Sequence, residues 1–410
     1  MTNSAPYKLH IISHTHWDRE WYLSLENFRS RLVDLIDNLL DILDNDPNFL
    51  HFHLDGQTVV LEDYLEIRPA QRERLSRHIS SGRILIGPWY LQNDEFLTTG
   101  ESTIRNLLLG RRICRADFGV EPMPIGYVPD QFGNISQLPQ ILRGFAIQSA
   151  IFGRGYDRSA GAEFFWKSPD GSKVLAVFLI QWYNNLQRLP RKPADAIAMI
   201  RELMEGQKGQ AHTRHLMMMN GVDHLEAQEN LSEIINDVNA LDPGFQLVHS
   251  TLPNYVEAVR AELPAPQTVA GEFRWGDNGG VIPSTASSRV HLKQSNFRLQ
   301  QELQSWVEPF AVLASLFGSR YKAGDMIDYA WKTLMQCHPH DSICGCSIDE
   351  VHFQMEGRFS RVSDVLADQL SRSLRHLAAG VDSTRRGHHS TLTVFNPLPC
   401  SRSEVFETNL

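Results

Sequence analysis

Cysteine is scarce: five residues in 410, odd in number and unevenly placed at Cys114, Cys337, Cys344, Cys346 and Cys400. Such a set makes no disulfide framework, so packed cores must supply the stability and the thiols read as reduced. Long apolar runs are missing as well. With no stretch of roughly 18 apolar residues, nothing in the sequence reads as a membrane span. No long basic run occurs, and the formal net charge is −9. That balance excludes nucleic acid as a partner held through phosphate contacts. The residues before Tyr7 lack the basic-then-apolar pattern of a secretory signal, so a cytoplasmic setting is expected. Neither an internal repeat nor a low-complexity stretch is visible.

The chain is longer than one hydrophobic core usually serves, which predicts two or more domains. Short apolar runs at 8–13, 50–54, 83–87, 125–128, 150–153, 173–180, 216–219 and 245–249 read as strands. Between them, 25–43, 62–78, 101–116, 194–205 and 227–238 carry apolar residues at helical spacing. Phe28, Leu32, Leu35, Ile36, Leu39 and Leu43 show it most clearly. Strand–helix alternation predicts an α/β domain over residues 1–268, its parallel sheet open or closed into a barrel. Gly, Pro, Ser and Thr then accumulate over 271–288. Three helical stretches follow, at 291–316, 326–337 and 348–377, so a three-helix bundle is expected over 269–385. Residues 391–395 alternate like a strand before Asn396-Pro397-Leu398-Pro399 breaks the pattern. A β region is therefore expected to start within 386–410.

Four constellations carry chemistry. His14-Thr15-His16-Trp17-Asp18 follows the first strand, where a period of two lets His14, His16 and Asp18 face one side. Imidazole with carboxylate suits a borderline divalent cation such as zinc; two half-buried histidines are the plainer alternative. Cys337-His338-Pro339-His340-Asp341 closes the second bundle helix. Its cysteine spacing fits no common structural zinc site, so His340 is better read as completing the His16/Asp18 set, reaching it from the bundle. Asp130 in Pro129-Asp130-Gln131-Phe132-Gly133, and Asp223 in Asn220-Gly221-Val222-Asp223-His224, leave separate strand ends. A helix N-cap explains either alone. Together they supply the two carboxylates that glycoside hydrolysis requires.

His-Thr-His-Trp-Asp-Arg-Glu-Trp, Gly-Tyr-Val-Pro-Asp-Gln-Phe-Gly and His-Pro-His-Asp-Ser-Ile resemble glycoside hydrolase family 38, the class II α-mannosidases, in particular bacterial α-mannosidases and mannosylglycerate hydrolases. The resemblance continues through Leu54-Asp55-Gly56-Gln57, Ile86-Gly87-Pro88-Trp89-Tyr90 and Gly271-Glu272-Phe273. It implies a retaining α-mannosidase with one zinc per chain, held by His16, Asp18, Asp130 and His340. Asp130 would double as nucleophile and Asp223 serve as general acid/base. Val222 stands where some relatives carry a further aspartate. Sugar contacts would match Trp21, Phe132, Asp341, Arg154 and Asp94. The substrate would be a terminal α-mannoside, as an oligosaccharide or mannosyl conjugate. Relatives continue into a β-sandwich region after Asn-Pro-Leu-Pro, so the chain is expected to be truncated there. A metal-dependent deacetylase or amidohydrolase is one rival reading, and a zinc- and sugar-binding fragment without turnover is another. Self-association is left open.

Overall fold

The computed structural model describes residues 6–275, 280–382, 392–405 and 407. Strand β1 (Tyr7–Thr15) organises the first half of the chain. Its run Leu9-His-Ile-Ile-Ser-His-Thr is buried throughout, as parallel strands covered on both faces are. The strands that follow are β2 (Phe52–Leu54), β3 (Ile84–Leu85), β4 (Gly126–Val128), β5 (Ser149–Phe152), β6 (Glu163–Lys167), β7 (Lys173–Phe178), β8 (His215–Asn220), β9 (Phe245–His249) and β10 (Thr268–Ala270). They form two five-stranded sheets. One runs β3-β2-β1-β8 with β9 also paired to β1; the other runs β10-β6-β7-β5-β4. Every pairing is parallel except β6 with β7. The sheet expected from the alternation is thus divided in two, and no closed barrel forms among the described residues.

Period-two alternation sorts the side chains into layers. Ile12, Met217 and Met219 of the first sheet pack with Tyr127, Ile151, Leu175 and Val177 of the second, in a core between the sheets. The intervening residues Ala150, Phe152, Val174, Ala176 and Phe178 point the other way, onto Leu107, Leu138 and Leu142 of the covering helices. All eight expected strands are present. The sequence reading missed β6, an unbroken aromatic run on the antiparallel pair, and β10, which is three residues long. The single helix expected over 62–78 is two, Val59–Ile67 and Arg72–Ser80, joined by a short 3₁₀ turn. Pro69 lacks an amide and disfavours helix at Arg68, so the break falls there.

The chain forms two compact units. One runs to Arg289 and resumes from His338 to His352; the other holds Val290–Cys337 and the chain from Phe353 onward. The second unit is helical: Val290–Glu302 continues through a π turn at Leu303–Val307 into Glu308–Leu316, followed by Gly324–Met335 and, from Phe353 onward, the helix Asp349–Ala379. Pro309 cannot donate back to the preceding turn, and the π register sits just ahead of it. Val351, Met355, Phe359, Val362 and Leu366 make a buried stripe at helical spacing along the last helix. Residues 392–395 form no strand, and Thr391 lies outside the described residues. Among the described residues no helix is long and apolar enough to cross a membrane.

Candidate active site

The polar residues collect where β1, β2, β4, β5, β7 and β8 end, the face on which α/β folds assemble their sites. Backbone geometry brings two of these ends into contact. Gly221 follows β8 at φ +156°, and a Cβ built there would lie 1.9 Å from the His14 carbonyl oxygen. Only glycine permits this approach. It lets the His16 amide donate to the Val222 carbonyl (3.3 Å) and the His224 amide to the His16 carbonyl (2.9 Å). Asp223 is thereby paired directly beside His16.

Four side chains converge from that base. His16 Nε2 lies 3.2 Å from Asp18 Oδ1 and 3.7 Å from Asp130 Oδ2. His340 Nε2 lies 3.5 Å from Asp18 Oδ1 and 3.7 Å from Asp130 Oδ2. The two imidazoles stack with centroids 5.6 Å apart. Both Nε2 atoms are buried and have no hydrogen-bond partner. A tetrahedral centre about 2.0–2.1 Å from each donor would space neighbouring donors roughly 3.3 Å apart, close to what is observed. Two imidazole nitrogens and two carboxylate oxygens, two of the four orphaned in the interior, therefore fit a divalent cation of the zinc type.

Surrounding groups hold this cage. Asp55, after β2 and fully buried, sits 2.9 Å from His16 Nδ1. The same oxygen accepts from the Trp17 amide (2.9 Å) and Gln57 Nε2 (2.8 Å). Orienting a ligating imidazole through its other nitrogen is the usual task of such a carboxylate. His340 is placed by its own amide, which donates to the Gln92 carbonyl, and Asn93 bridges to Pro339. The 338–352 segment thus belongs to the same compact unit as β1. The site lies within one unit, which corrects the expectation that His340 reaches it from the bundle. His14 also departs from expectation: its Nε2 is 2.8 Å from the Tyr183 carbonyl and it stands outside the cage.

Burial alone would raise the Asp130 carboxyl and lower the His340 imidazole. Their mutual pairing, with Arg154 and His16 on Asp130 and with Asp341 and Asp18 on His340, reverses both. Asp130 is held below the usual carboxylate range and His340 is pushed up to about 10 in the metal-free protein. Burial opposes protonation of His16 too, but Asp55 and Asp18 carry it well above its ordinary value. Asp223 moves the other way. Burial is the main reason its carboxyl is raised; Asp18 and Asp130 add to the rise, against His16 and the Tyr183 hydroxyl.

Tyr183 links the two catalytic candidates. Its hydroxyl lies 3.2 Å from Asp130 Oδ2 and 3.0 Å from Asp223 Oδ1, so those oxygens are within about 6 Å of each other. One hydroxyl carries one proton and cannot donate to both. The bridge is complete only when one of the carboxyls is itself protonated.

Of the sugar contacts expected from the resemblance, Arg154 pairs through Nε with Asp130 Oδ1 at 2.6 Å and also contacts that oxygen through a terminal nitrogen. Its guanidinium lies over the Trp182 and Phe132 rings. Phe132 meets His340 edge-on at 5.6 Å. Asp341 Oδ2 is 3.4 Å from His340 Nε2. Asp94 stands further off. Its Oδ1 accepts from the Phe96 and Leu97 amides, and it lines a cavity of about 70 Å³ with Phe132 and Arg274. Trp21 packs on Tyr22, and its carbonyl accepts from the Ile348 amide. Sequence reasoning missed Tyr183 and the part played by Asp55. Asp55 stood in a quoted motif, Leu54-Asp55-Gly56-Gln57, but nothing in the sequence around Tyr183 marks it.

Residues 6–278 match the model of the glycosyl hydrolases family 38 N-terminal domain, and residues 283–377 match that of the alpha mannosidase middle domain. The crystal structure of an alpha-mannosidase from Enterococcus faecalis V583 superposes with a TM-score of 0.87 at 40% identity, covering 91% of this chain and 43% of that one. A second Enterococcus faecalis structure, of a protein in glycosyl hydrolase family 38, gives 0.77 at 37% identity, covering 92% and 40%. The "Putative mannosylglycerate hydrolase" of Halalkalibacterium halodurans is 39% identical over 91% of this chain and 43% of its own length. The chain therefore spans less than half the length of these relatives. With the first model covering well over half of its residues, the chain belongs to glycosyl hydrolase family 38.

Proposed function

We propose that this chain is the catalytic portion of a retaining, zinc-dependent α-mannosidase acting on terminal α-mannosides. The observation that carries the reading is one carboxylate with two sets of neighbours. Asp130 Oδ2 faces His16 and His340, while the Tyr183 hydroxyl joins it to Asp223. His16, Asp18, Asp130 and His340 would hold the zinc, whose Lewis acidity and capacity to add ligands beyond these four suit vicinal sugar hydroxyls. The solved relative described as an alpha-mannosidase supports mannose as the sugar.

Asp130, ionised and backed by Arg154, attacks the anomeric carbon. Asp223, raised toward protonation, donates its proton to the departing oxygen. Tyr183 keeps that proton on the Asp223 side by donating its own hydrogen to Asp130. Asp223 then takes a proton from water, whose oxygen releases the sugar from Asp130. Oxygens bridged by one hydroxyl lie no more than about 6 Å apart, short of the roughly 6.5–9.5 Å of inverting pairs, which supports double displacement. Phe132 and Trp21 offer apolar faces to the pyranose, and Asp341, Arg154 and Asp94 its polar contacts. The deacetylase reading loses ground because the side chains that face the cage from the later strand ends are the carboxylates Asp130 and Asp223. Hydrolysis of an aryl α-mannoside by the purified protein, abolished by a chelator and restored by zinc, is the expected result. No hydrolysis with zinc bound would leave a sugar-binding fragment.

A further inference from the structure

The residues after His340 place two thiols together beside the site. Cys344 is fully buried, Cys346 is exposed, and their Sγ atoms are 3.3 Å apart. Cys346 Sγ is also 3.0 Å from Asp341 Oδ1, and the other oxygen of Asp341 is the one facing His340. Gly345 between the cysteines takes φ +82°, which glycine adopts without strain. Its carbonyl accepts from Ser288 Oγ (3.1 Å) and Arg289 Nε (3.3 Å), so the turn that holds the thiols together is anchored to residues 288–289.

We propose that Cys344 and Cys346 form a reversible oxidation site whose state is read by Asp341. A disulfide needs its sulfurs about 2.05 Å apart, so the observed pair must close by little more than an ångström. Exposure fixes the order of events. The hydrogen bond with Cys344 pushes the Cys346 thiol up, so it is its small thiolate fraction that attacks one sulfur of a low-molecular-weight disulfide, such as glutathione disulfide, and expels the other half as a thiolate. A mixed disulfide results. Cys344, too buried to meet the oxidant itself, then attacks Cys346 Sγ and expels the second thiolate. Two protein thiols become one disulfide, and one small disulfide becomes two thiols. Once oxidised, Cys346 has no S–H to give, so Asp341 loses that donor next to a proposed metal ligand and sugar contact.

The experiment incubates the purified chain in glutathione buffers of increasing oxidised fraction, blocks free thiols with iodoacetamide and reads peptide masses. Expected is the joint loss of two alkylatable thiols, both mapping to Cys344 and Cys346 and recovered with dithiothreitol. Cys344→Ser should trap one glutathione on Cys346, and Cys346→Ser should leave Cys344 unmodified. Both thiols remaining alkylatable across the series, or Cys344 modified first, would overturn the proposal. A second arm rests on the hydrolase reading and compares aryl α-mannoside turnover before and after oxidation. At least a several-fold loss, reversed by reductant and absent in Cys346→Ser, is expected; equal rates would overturn the coupling to Asp341. A reduced protein without turnover counts against the hydrolase reading alone, because the thiol masses decide the oxidation site by themselves.

Discussion

Asp55→Asn is the sharpest probe of how the cage is held, because it changes a charge and almost no volume. Asp55 Oδ2 lies 2.9 Å from His16 Nδ1 as an ion pair and accepts from the Trp17 amide (2.9 Å) and Gln57 Nε2 (2.8 Å), all out of contact with water. An asparagine oxygen still accepts from these donors but carries no charge. A hydrogen bond to a charged group contributes about 1.5–3 kcal/mol, and a neutral one about 0.5–1.5 kcal/mol. The difference, about 1–2 kcal/mol, falls on the imidazole that must present Nε2 to the cation. Zinc affinity should drop roughly 5–30-fold, at the lower end of the range for such outer partners of metal-bound histidines. Competition against a chromophoric chelator at fixed pH measures it, with urea unfolding of the metal-free protein to register damage to the fold. Asp55→Ala should be worse on both counts, since it strands three buried donors. Asp55→Asn binding zinc as tightly as wild type, while His16→Ala loses it, would refute the idea that Asp55 organises the site.

Four further outcomes are expected. Metal analysis should give about one zinc per chain, lost in His16→Ala or His340→Ala; two zincs, or retention in both variants, would overturn the ligand set. Proton NMR should find the α anomer as the first sugar product, and Asp223→Ala should slow alkyl mannosides most, whose leaving group needs a proton. The first product appearing as β-mannose would rule out the double displacement. Gly221→Ala, which places a methyl against the His14 carbonyl, should lower stability by a few kcal/mol; an unchanged urea midpoint would contradict the close approach. Burial pushes His10 and His249 down to about 4. The unfolded chain therefore takes up their protons first, and the contribution of these two histidines to stability should fall as pH drops from about 6.5 toward 4, by on the order of a few kcal/mol, against the opposite contribution of Glu95, whose carboxyl burial raises to about 8. His10→Gln, still able to bond Ser250, should flatten part of that slope.

What the sequence made legible and what it hid have separate physical causes. The eight expected strands were readable because buried parallel strands are continuous apolar runs, and residues 25–43 because an amphipathic helix repeats its period for five turns. His16, Asp18 and Asp130 were readable because each sits in a short motif just past a strand, and His340 because its His-Pro-His-Asp motif closes a helix. Tyr183 was hidden because its role depends on where the loop after β7 travels, which no local spacing records. His14 was misplaced because its Nε2 is taken by the Tyr183 carbonyl, a contact from a distant loop that no local spacing records. The shared unit for His340 was equally unreadable. Helical periodicity resumes on both sides of 338–352, and it takes long-range contacts such as the Asn93–Pro339 pairing and the Ser342–Glu20 hydrogen bond to tie that segment to the first unit.

That return of the chain has a consequence for how the protein is made. The first compact unit is interrupted at Arg289 and completed only after His338. During synthesis, β1 through β10 can pair while the helical residues are still being added, but at that point only three of the four donors exist. A nascent chain is thus poorly equipped to capture zinc before residue 340 clears the ribosome, and the contact between Ser342 and Glu20 then spans 322 positions. Contacts of such separation form late. On the proposed zinc site, metal uptake would report that translation has passed the helical insertion, and a chain ended at residue 289 would lack the donor that closes the site.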